Sequence, residues 1–235
     1  MTDEQRVAVV TGSNRGLGLA LARRLAQQSI HVIVTARSEG AADRVAGDLA
    51  REGLPASGHQ LDITDAASVA RLMADVGYLH GRLDVLVNNA AIAIDRGQLA
   101  AAADMEKVRA TLEANIMGTW RCCTAAVPEM KKNGYGRIVN ITSHMGTFAH
   151  MGPGSVAYRV SKAGVNALTC ILAAELHPEG ILVNAASPGK VETRLAYGKA
   201  NHSPQEAADS LAWLATLPED GPTGCLFHGH DLLPW

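Results

Sequence analysis

Val7-Ala-Val-Val-Thr11-Gly12-Ser13-Asn14-Arg15-Gly16-Leu17-Gly18 is the stretch whose reading decides the fold. It begins as a short apolar, β-branched run, which reads as a buried strand. The run passes directly into glycines, and a helical pattern follows from Leu19 to Gln28. The glycines allow a tight turn and let a pyrophosphate approach the helix N-terminus, where unpaired N–H groups and the helix dipole favour anions. A plain glycine-rich turn is the competing reading. The strand before it and the helix after it favour the phosphate cradle.

Working outward, His31-Val-Ile-Val-Thr-Ala36 reads as the next strand and ends at Arg37-Ser38. A dinucleotide fold reads the adenosine ribose at this point. A carboxylate there would accept from the two ribose hydroxyls and select NAD, whereas Arg37 suits a 2′-phosphate. Arg15 either adds a second charge or stands as a solvated loop arginine; the pair together points to NADP. A helix from about Ala41 to Glu52 leads to a third strand ending His59-Gln-Leu-Asp62-Ile63. Asp62 either holds the adenine amino group or caps the helix that begins near Asp65. After a helix from Ala66 to about Leu79, the strand Leu83-Asp-Val-Leu-Val-Asn88 runs into Asn89, Ala90 and Ala91. Amides and small residues there let the backbone approach a ligand at the carboxyl edge of the sheet.

The second half carries the chemistry. One long helical pattern runs from Asp104 to Lys132 and contains Asn115 and Gly118. Buried mid-helix asparagine is unfavourable by propensity, so Asn115 is a candidate functional amide; Gly118 marks a bend or close packing. The strand Arg137-Ile-Val-Asn-Ile141 delivers Thr142-Ser143, and a loop rich in Gly, His and Met leads to Tyr158-Arg-Val-Ser-Lys162. Tyrosine and lysine at this spacing share one helix face. An ammonium near a phenol favours the phenolate, so the pair can act as one acid–base unit. The strand Ile181-Leu-Val-Asn-Ala185 leads to Ser187-Pro188-Gly189-Lys190-Val191-Glu192-Thr193. A last helix spans roughly Pro204 to Leu217, followed by a strand near Cys225 and the tail Asp231-Leu-Leu-Pro-Trp235.

Composition narrows the class. With 235 residues, 47% hydrophobic and 19% charged, the chain fits one large α/β domain over residues 1–235. A net charge of -2 gives no reason to expect nucleic acid or an anionic membrane surface as partner. No apolar run is long enough to span a bilayer, and the polar N-terminus lacks the apolar segment of a secretion signal. Cys122, Cys123, Cys170 and Cys225 form no CxxC, and read as reduced thiols of a cytoplasmic protein. His228-Gly-His230 could bind a metal on one strand face, but no third ligand is evident, so no metal is expected.

Several of these segments fall in a familiar order: TGxxxGxG (Thr11 to Gly18), Asn88-Asn-Ala90, Asn115, Ser143, the YxxxK pair Tyr158 and Lys162, and Pro-Gly-x-Val-x-Thr (Pro188 to Thr193). The chain resembles the short-chain dehydrogenase/reductase family over nearly its whole length. His59 to Asp65, Leu83 to Asn89, Asp220 to Gly224 and the terminal Pro-Trp are more similar to its NADPH-using carbonyl reductase branch. The resemblance implies a single-domain Rossmann-type, doubly wound parallel sheet of about seven strands with helices on both faces. It implies that NADP lies against Gly12, Ser13, Asn14, Arg15, Gly16, Leu17 and Gly18, then Arg37, Asp62 and Ile63, then Asn89, Ala90 and Ala91. Tyr158, Lys162, Pro188, Gly189, Val191 and Thr193 complete that set.

In the catalytic roles so implied, Tyr158 protonates the carbonyl oxygen of a small-molecule substrate as hydride arrives. Lys162 holds the nicotinamide ribose and lowers the tyrosine pKa, Ser143 hydrogen-bonds the same carbonyl oxygen, and Asn115 anchors a water that resupplies protons. Ser143, His144, Phe148, Met151 and Tyr158 are the candidate substrate contacts, with core packing or a solvated loop as the other reading of the three between Ser143 and Tyr158. Ala91 stands where the family has glycine, and the Thr193–Pro204 segment is short for the lid of an oxoacyl reductase. A 3-oxoacyl thioester reductase and a non-catalytic NADP-binding sensor remain as alternatives. A homodimer or homotetramer through the helices of Asn115 and Tyr158 is expected, with a monomer still open. Val160, Gly164, Ala167, Leu168 and Ile171 would supply small, apolar contacts.

Overall fold

Strands covered on both faces need apolar residues at every position, and Val7-Ala-Val-Val10 supplies them. In the computed structural model, which describes residues 5–193, 195 and 200–235, this run is β1 (Val7–Val10) and is buried throughout. Its alternate side chains enter two separate cores. Ala8 and Val10 pack under α1 (Gly16–Ala26), α2 (Glu39–Arg51) and α7 (Pro204–Leu211). Val7 and Val9 pack under α3 (Ala66–His80), α5 (Thr119–Asn133) and α6 (Val156–Leu176). Period-two alternation thus builds a layer of helices on each side of one sheet.

Parallel pairing joins β1 to β2 (His31–Ala36), β3 (Ala56–Gln60), β4 (Val85–Asn88), β5 (Gly136–Ile141), β6 (Ile181–Ala186) and β7 (Leu226–His228) in the order β3-β2-β1-β4-β5-β6-β7. The order reverses at β1, which pairs with both β2 and β4. Because these strands are parallel, Gly12, Arg37, Asp62, Asn89, Ser143 and Ser187 all follow strands that end at the same edge. Ligands of such sheets bind in the crevice outside the switch point.

The structure departs from the sequence reading in five places. The sheet has an eighth strand: the tail Asp231–Leu233 forms β8, antiparallel to β7, where Gly229 at φ 60° permits a tight turn. The third strand stops at Gln60, because Asp62 Oδ1 accepts from Thr64 N (2.9 Å) and Thr64 Oγ1 (2.7 Å) and bends the chain. The first helix starts at Gly16 instead of Leu19. The long helix is interrupted: α4 (Met105–Leu112) and α5 are separated by a π-helical turn, Glu113–Gly118. The last helix changes to 3₁₀ at Ala212, where Trp213 donates to Ser210 O (3.1 Å) and Gly229 O (3.2 Å) and stacks on His230. Among the described residues no helix is long and apolar enough to cross a membrane. Within the short Thr193–Pro204 segment, residues 194 and 196–199 lie outside the described residues.

Candidate active site

The glycine loop is shaped by close approaches that only hydrogen at Cα allows. Gly12 has φ 63°, and a Cβ on it would lie 3.1 Å from Ala90 Cβ. A Cβ on Gly18 would lie 2.5 Å from both Asn89 Nδ2 and Gly12 O. Asn89 ties the loop together, its Nδ2 donating to Thr11 O (3.0 Å) and Gly12 O (3.1 Å). Asn89 N and Ala90 N both donate to Thr11 Oγ1. Ser13 is wholly buried; its hydroxyl donates to Val10 O (2.7 Å) and accepts from Thr35 N (2.8 Å), so it braces the loop against β2.

The first turn of α1 has no side-chain cap and no acidic residue, which leaves its N–H groups and positive dipole end available to an anion. Leu17 turns its side chain into the core, and Asn14 and Arg15 lie on the outer side of the turn. Thr193 comes from the segment after β6 and stands beside Gly16, its Cγ2 3.5 Å from a Cβ built there. These features fit the pyrophosphate of a dinucleotide.

Arg37, after β2, and Arg15, in the glycine loop after β1, are both exposed. Asp62 does not cap α3; Asp65 does, accepting from Ala67 N (2.9 Å). The bonds from Thr64, with the charge of Arg37 as a lesser cause, hold the Asp62 carboxyl below its usual range. Ile63 packs its side chain on Gly118, where a Cβ would come within 2.8 Å of it, and its carbonyl accepts from Arg121 Nη1 (2.6 Å). Gly118 therefore marks close packing.

At the other end, Lys162 is buried. Its ammonium donates to Ile141 O (2.7 Å) and lies 5.7 Å from the centroid of the Tyr158 ring. Burial lowers its pKa from 10.5 to about 8. Ser143 follows β5 and accepts at Oγ from Met145 N (3.2 Å). The 3₁₀ turn His144–Gly146 lies on α6, where a Cβ on Gly146 would meet the Lys162 backbone at 2.6 Å. Thr142 and Asn166 lock this contact: Thr142 Oγ1 donates to Asn166 Oδ1 (2.6 Å), and Asn166 Nδ2 donates to Gly146 O (3.3 Å).

Asn115 sits in the π-helical turn and is fully buried. Its amide pairs both ways with Ile92, accepting from N at 2.8 Å and donating to O at 2.9 Å, and donates to Ser161 Oγ at 3.0 Å. Such turns inside helices often mark functional sites.

The remaining candidates lie around these. Ala91 continues the Asn89 turn. His144 donates its N–H to Ser187 Oγ (3.1 Å), and its ring meets that of His150 edge-on at 5.5 Å. Phe148 is 82% exposed and Met151 is also exposed, so neither belongs to the core. Gly189, with φ 72°, follows Pro188 beside His228 and His202. Val191 is buried and bridges to His202; Glu192 N donates to His202 O (2.9 Å), and Asn201 N to Lys190 O (2.8 Å). No group of three metal-ligating residues occurs among the described residues. His228 bonds Ser187 O through Nδ1, so the His228/His230 pair is divided between two other contacts. All four cysteines are free thiols. The supporting residues Thr142, Asn166 and Ser161 carried no local sequence signal, because their partners are remote in the chain.

Comparisons with known proteins bear on the family and the fold. The short chain dehydrogenase family model matches residues 6–203. Dehydrogenase/reductase SDR family member 4 of Sus scrofa is 40% identical over 190 residues, 81% of this chain and 67%, about two thirds, of that protein. Carbonyl reductase (NADPH) 1 of Rattus norvegicus is 32% identical over 284 aligned positions that take in 100% of both chains. Among solved structures, gox2181 superposes with a TM-score of 0.87 at 31% identity, covering 96% of this chain and 94% of that one. A gluconate 5-dehydrogenase from Burkholderia cenocepacia, in complex with NADP and tartrate, gives a TM-score of 0.87 at 27% identity and covers 95% of this chain and 92% of its own. The sheet order, the glycine cradle and the family match together establish that this chain belongs to the short chain dehydrogenase family of oxidoreductases, whose members use NAD(P).

Proposed function

We propose that this protein is an NADPH-dependent reductase that converts aldehydes and ketones to alcohols, with Tyr158 as general acid. The observation that carries the reading is the buried Lys162 ammonium, fixed by Ile141 O and facing the Tyr158 ring. A cation held there stabilises the phenolate left after proton donation and so strengthens the acid. Ser143, at the end of β5, offers a hydroxyl to the carbonyl oxygen as negative charge develops. Asn115 anchors a water through which Lys162 and Tyr158 are reprotonated. When bound, the reduced nicotinamide supplies the hydride. The exposed Arg37, after β2, and Arg15, in the glycine loop, favour the 2′-phosphate, in keeping with the NADPH and NADP named for two of the similar proteins. Asp62 and Ile63 line the adenine side, and the Pro188–Thr193 segment closes over the nicotinamide side.

Phe148 and Met151, exposed in the loop after Ser143, support apolar carbonyl substrates. The chain is read as one domain acting as a homodimer or homotetramer through Val160, Ala167 and Ile171, which α6 exposes. Its free thiols suit the cytoplasm. Loss of NADPH absorbance with a panel of aldehydes and ketones tests the reading. Faster turnover of an acetoacetyl thioester than of every simple carbonyl would replace it with thioester reduction. NADPH binding without turnover of any carbonyl would replace it with a sensor.

A further inference from the structure

The helix that carries Tyr158 begins in an unusual way. Its N-cap, Ser155, has left-handed backbone angles (φ 53°, ψ 45°), and its hydroxyl accepts from Gly97 N (3.5 Å) without capping the helix. A serine cap normally sits in extended conformation and accepts from the N–H groups of the first turn. Here that task falls to Asp95, far away in sequence and fully buried. Asp95 Oδ2 accepts from Ala157 N at 2.6 Å and from Tyr158 N at 3.3 Å, while its Oδ1 is buried with no hydrogen-bond partner. For stability alone this is a poor arrangement, since a local serine would cap the helix without burying a carboxylate. What Asp95 adds is a fixed point on the backbone of the tyrosine itself.

Asp95 also ends a segment pinned along its length. Asn89 N and Ala90 N bond Thr11 Oγ1 in the glycine loop, Ile92 pairs both ways with Asn115, and Asp95 holds Ala157 and Tyr158. We propose that Asp95 is a positioning residue for Tyr158, and that residues 89–95 form a strut through which the cofactor cradle sets the place of the phenol. The inference rests on Tyr158 as the acid.

The test compares kcat, KM and NADPH affinity in Asp95→Ala, Asp95→Asn and Asp95→Glu. Misplacing a reacting group by about 1 Å can lower turnover ~10²-fold, so Asp95→Ala loses about ten- to a hundredfold in kcat with KM and NADPH affinity nearly unchanged. Asp95→Asn, whose amide oxygen can still accept both N–H groups, recovers most of the loss. Asp95→Glu keeps the charge but moves the acceptor, and stays impaired. Asp104→Ala serves as control: Asp104 caps α4 by accepting from Glu106 N and Lys107 N, and its loss leaves kcat unchanged. If Asp95→Ala does not fold, the Asn and Glu variants decide. Wild-type kcat in both of these, beside an inactive Tyr158→Phe, overturns the inference while leaving the acid in place. Normal turnover in Tyr158→Phe overturns the acid reading itself, and the positioning role with it.

Discussion

At the tyrosine end of the cleft, Lys162, Asn115, Thr142 and Asp95 are buried and tied to backbone or to one another, whereas at the β2 end Arg15 and Arg37 stand in solvent. Both ends use charge, under different physical conditions. A buried charge interacts strongly, is little screened, and depends on neighbours that are costly to move. An exposed charge interacts weakly, is screened by salt, and can be exchanged without disturbing the fold. On the proposed function, chemistry falls to the buried end and cofactor choice to the exposed one.

The sharpest way to break this contrast is at Tyr158. Tyr158→Phe is expected to lower kcat by ~10²–10⁴-fold, the range of a lost general acid, while NADPH binding by fluorescence titration stays near wild type. Changing salt should not restore the rate.

The next effect is one of pH. Burial places the folded-state pKa of Lys162 at about 8, below the ordinary 10.5, so between these values the unfolded chain binds more protons than the folded one. Stability contributed through this group therefore rises as pH climbs through that window, and below it the cost of burying the cation is constant. Each pKa unit corresponds to about 1.4 kcal/mol, so the gain is on the order of 3 kcal/mol at most. Denaturant titrations of wild type and Lys162→Met at several pH values isolate it: their difference should shift in favour of wild type as pH rises. A constant difference would mean that the ammonium is solvated.

At the exposed end, Arg37→Asp should turn a preference for NADPH into one for NADH. Hydrogen bonds to charged groups contribute about 1.5–3 kcal/mol, so a change of about ten- to a hundredfold in relative affinity is expected. A mutant that still prefers NADPH would take Arg37 out of the contact. The smallest effect is that of salt on wild type. The NADPH preference should weaken several-fold between about 0.05 and 0.5 M salt, as the screening length shrinks. A salt-independent preference would place the contact in the buried class and erase the contrast.

Much of the fold was legible because its signals are local. β1, the glycine turn and α1 lie within one short stretch, and the apolar runs of β2, β4, β5 and β6 mark buried parallel strands by composition alone. The tail was not legible: β8 pairs through Leu226–Leu233 and Phe227–Leu232 contacts that exist only once β7 is in the sheet. The interruption of the long helix was hidden for a related reason. Asn115 and Gly118 marked the place as unusual without showing a break in the helix, and the π-helical turn goes with Asn115 reaching Ile92 and Ser161. Tyr158 and Lys162 could be paired by helical spacing, but Asp95 could not be joined to them, because a remote cap leaves no periodic trace.

The bridge between Val191 and His202 has a consequence for how such a protein changes over time. It closes the intervening stretch at its stem, with Glu192 and Asn201 bonding across on either side. Doubling the length of a closed loop costs only about 0.6 kcal/mol. Sequence between Thr193 and Asn201 can therefore change in length at small cost while the stem keeps Thr193 beside Gly16. Changes of length between the two sides of the stem can accumulate without rebuilding the sheet edge to which the stem is joined.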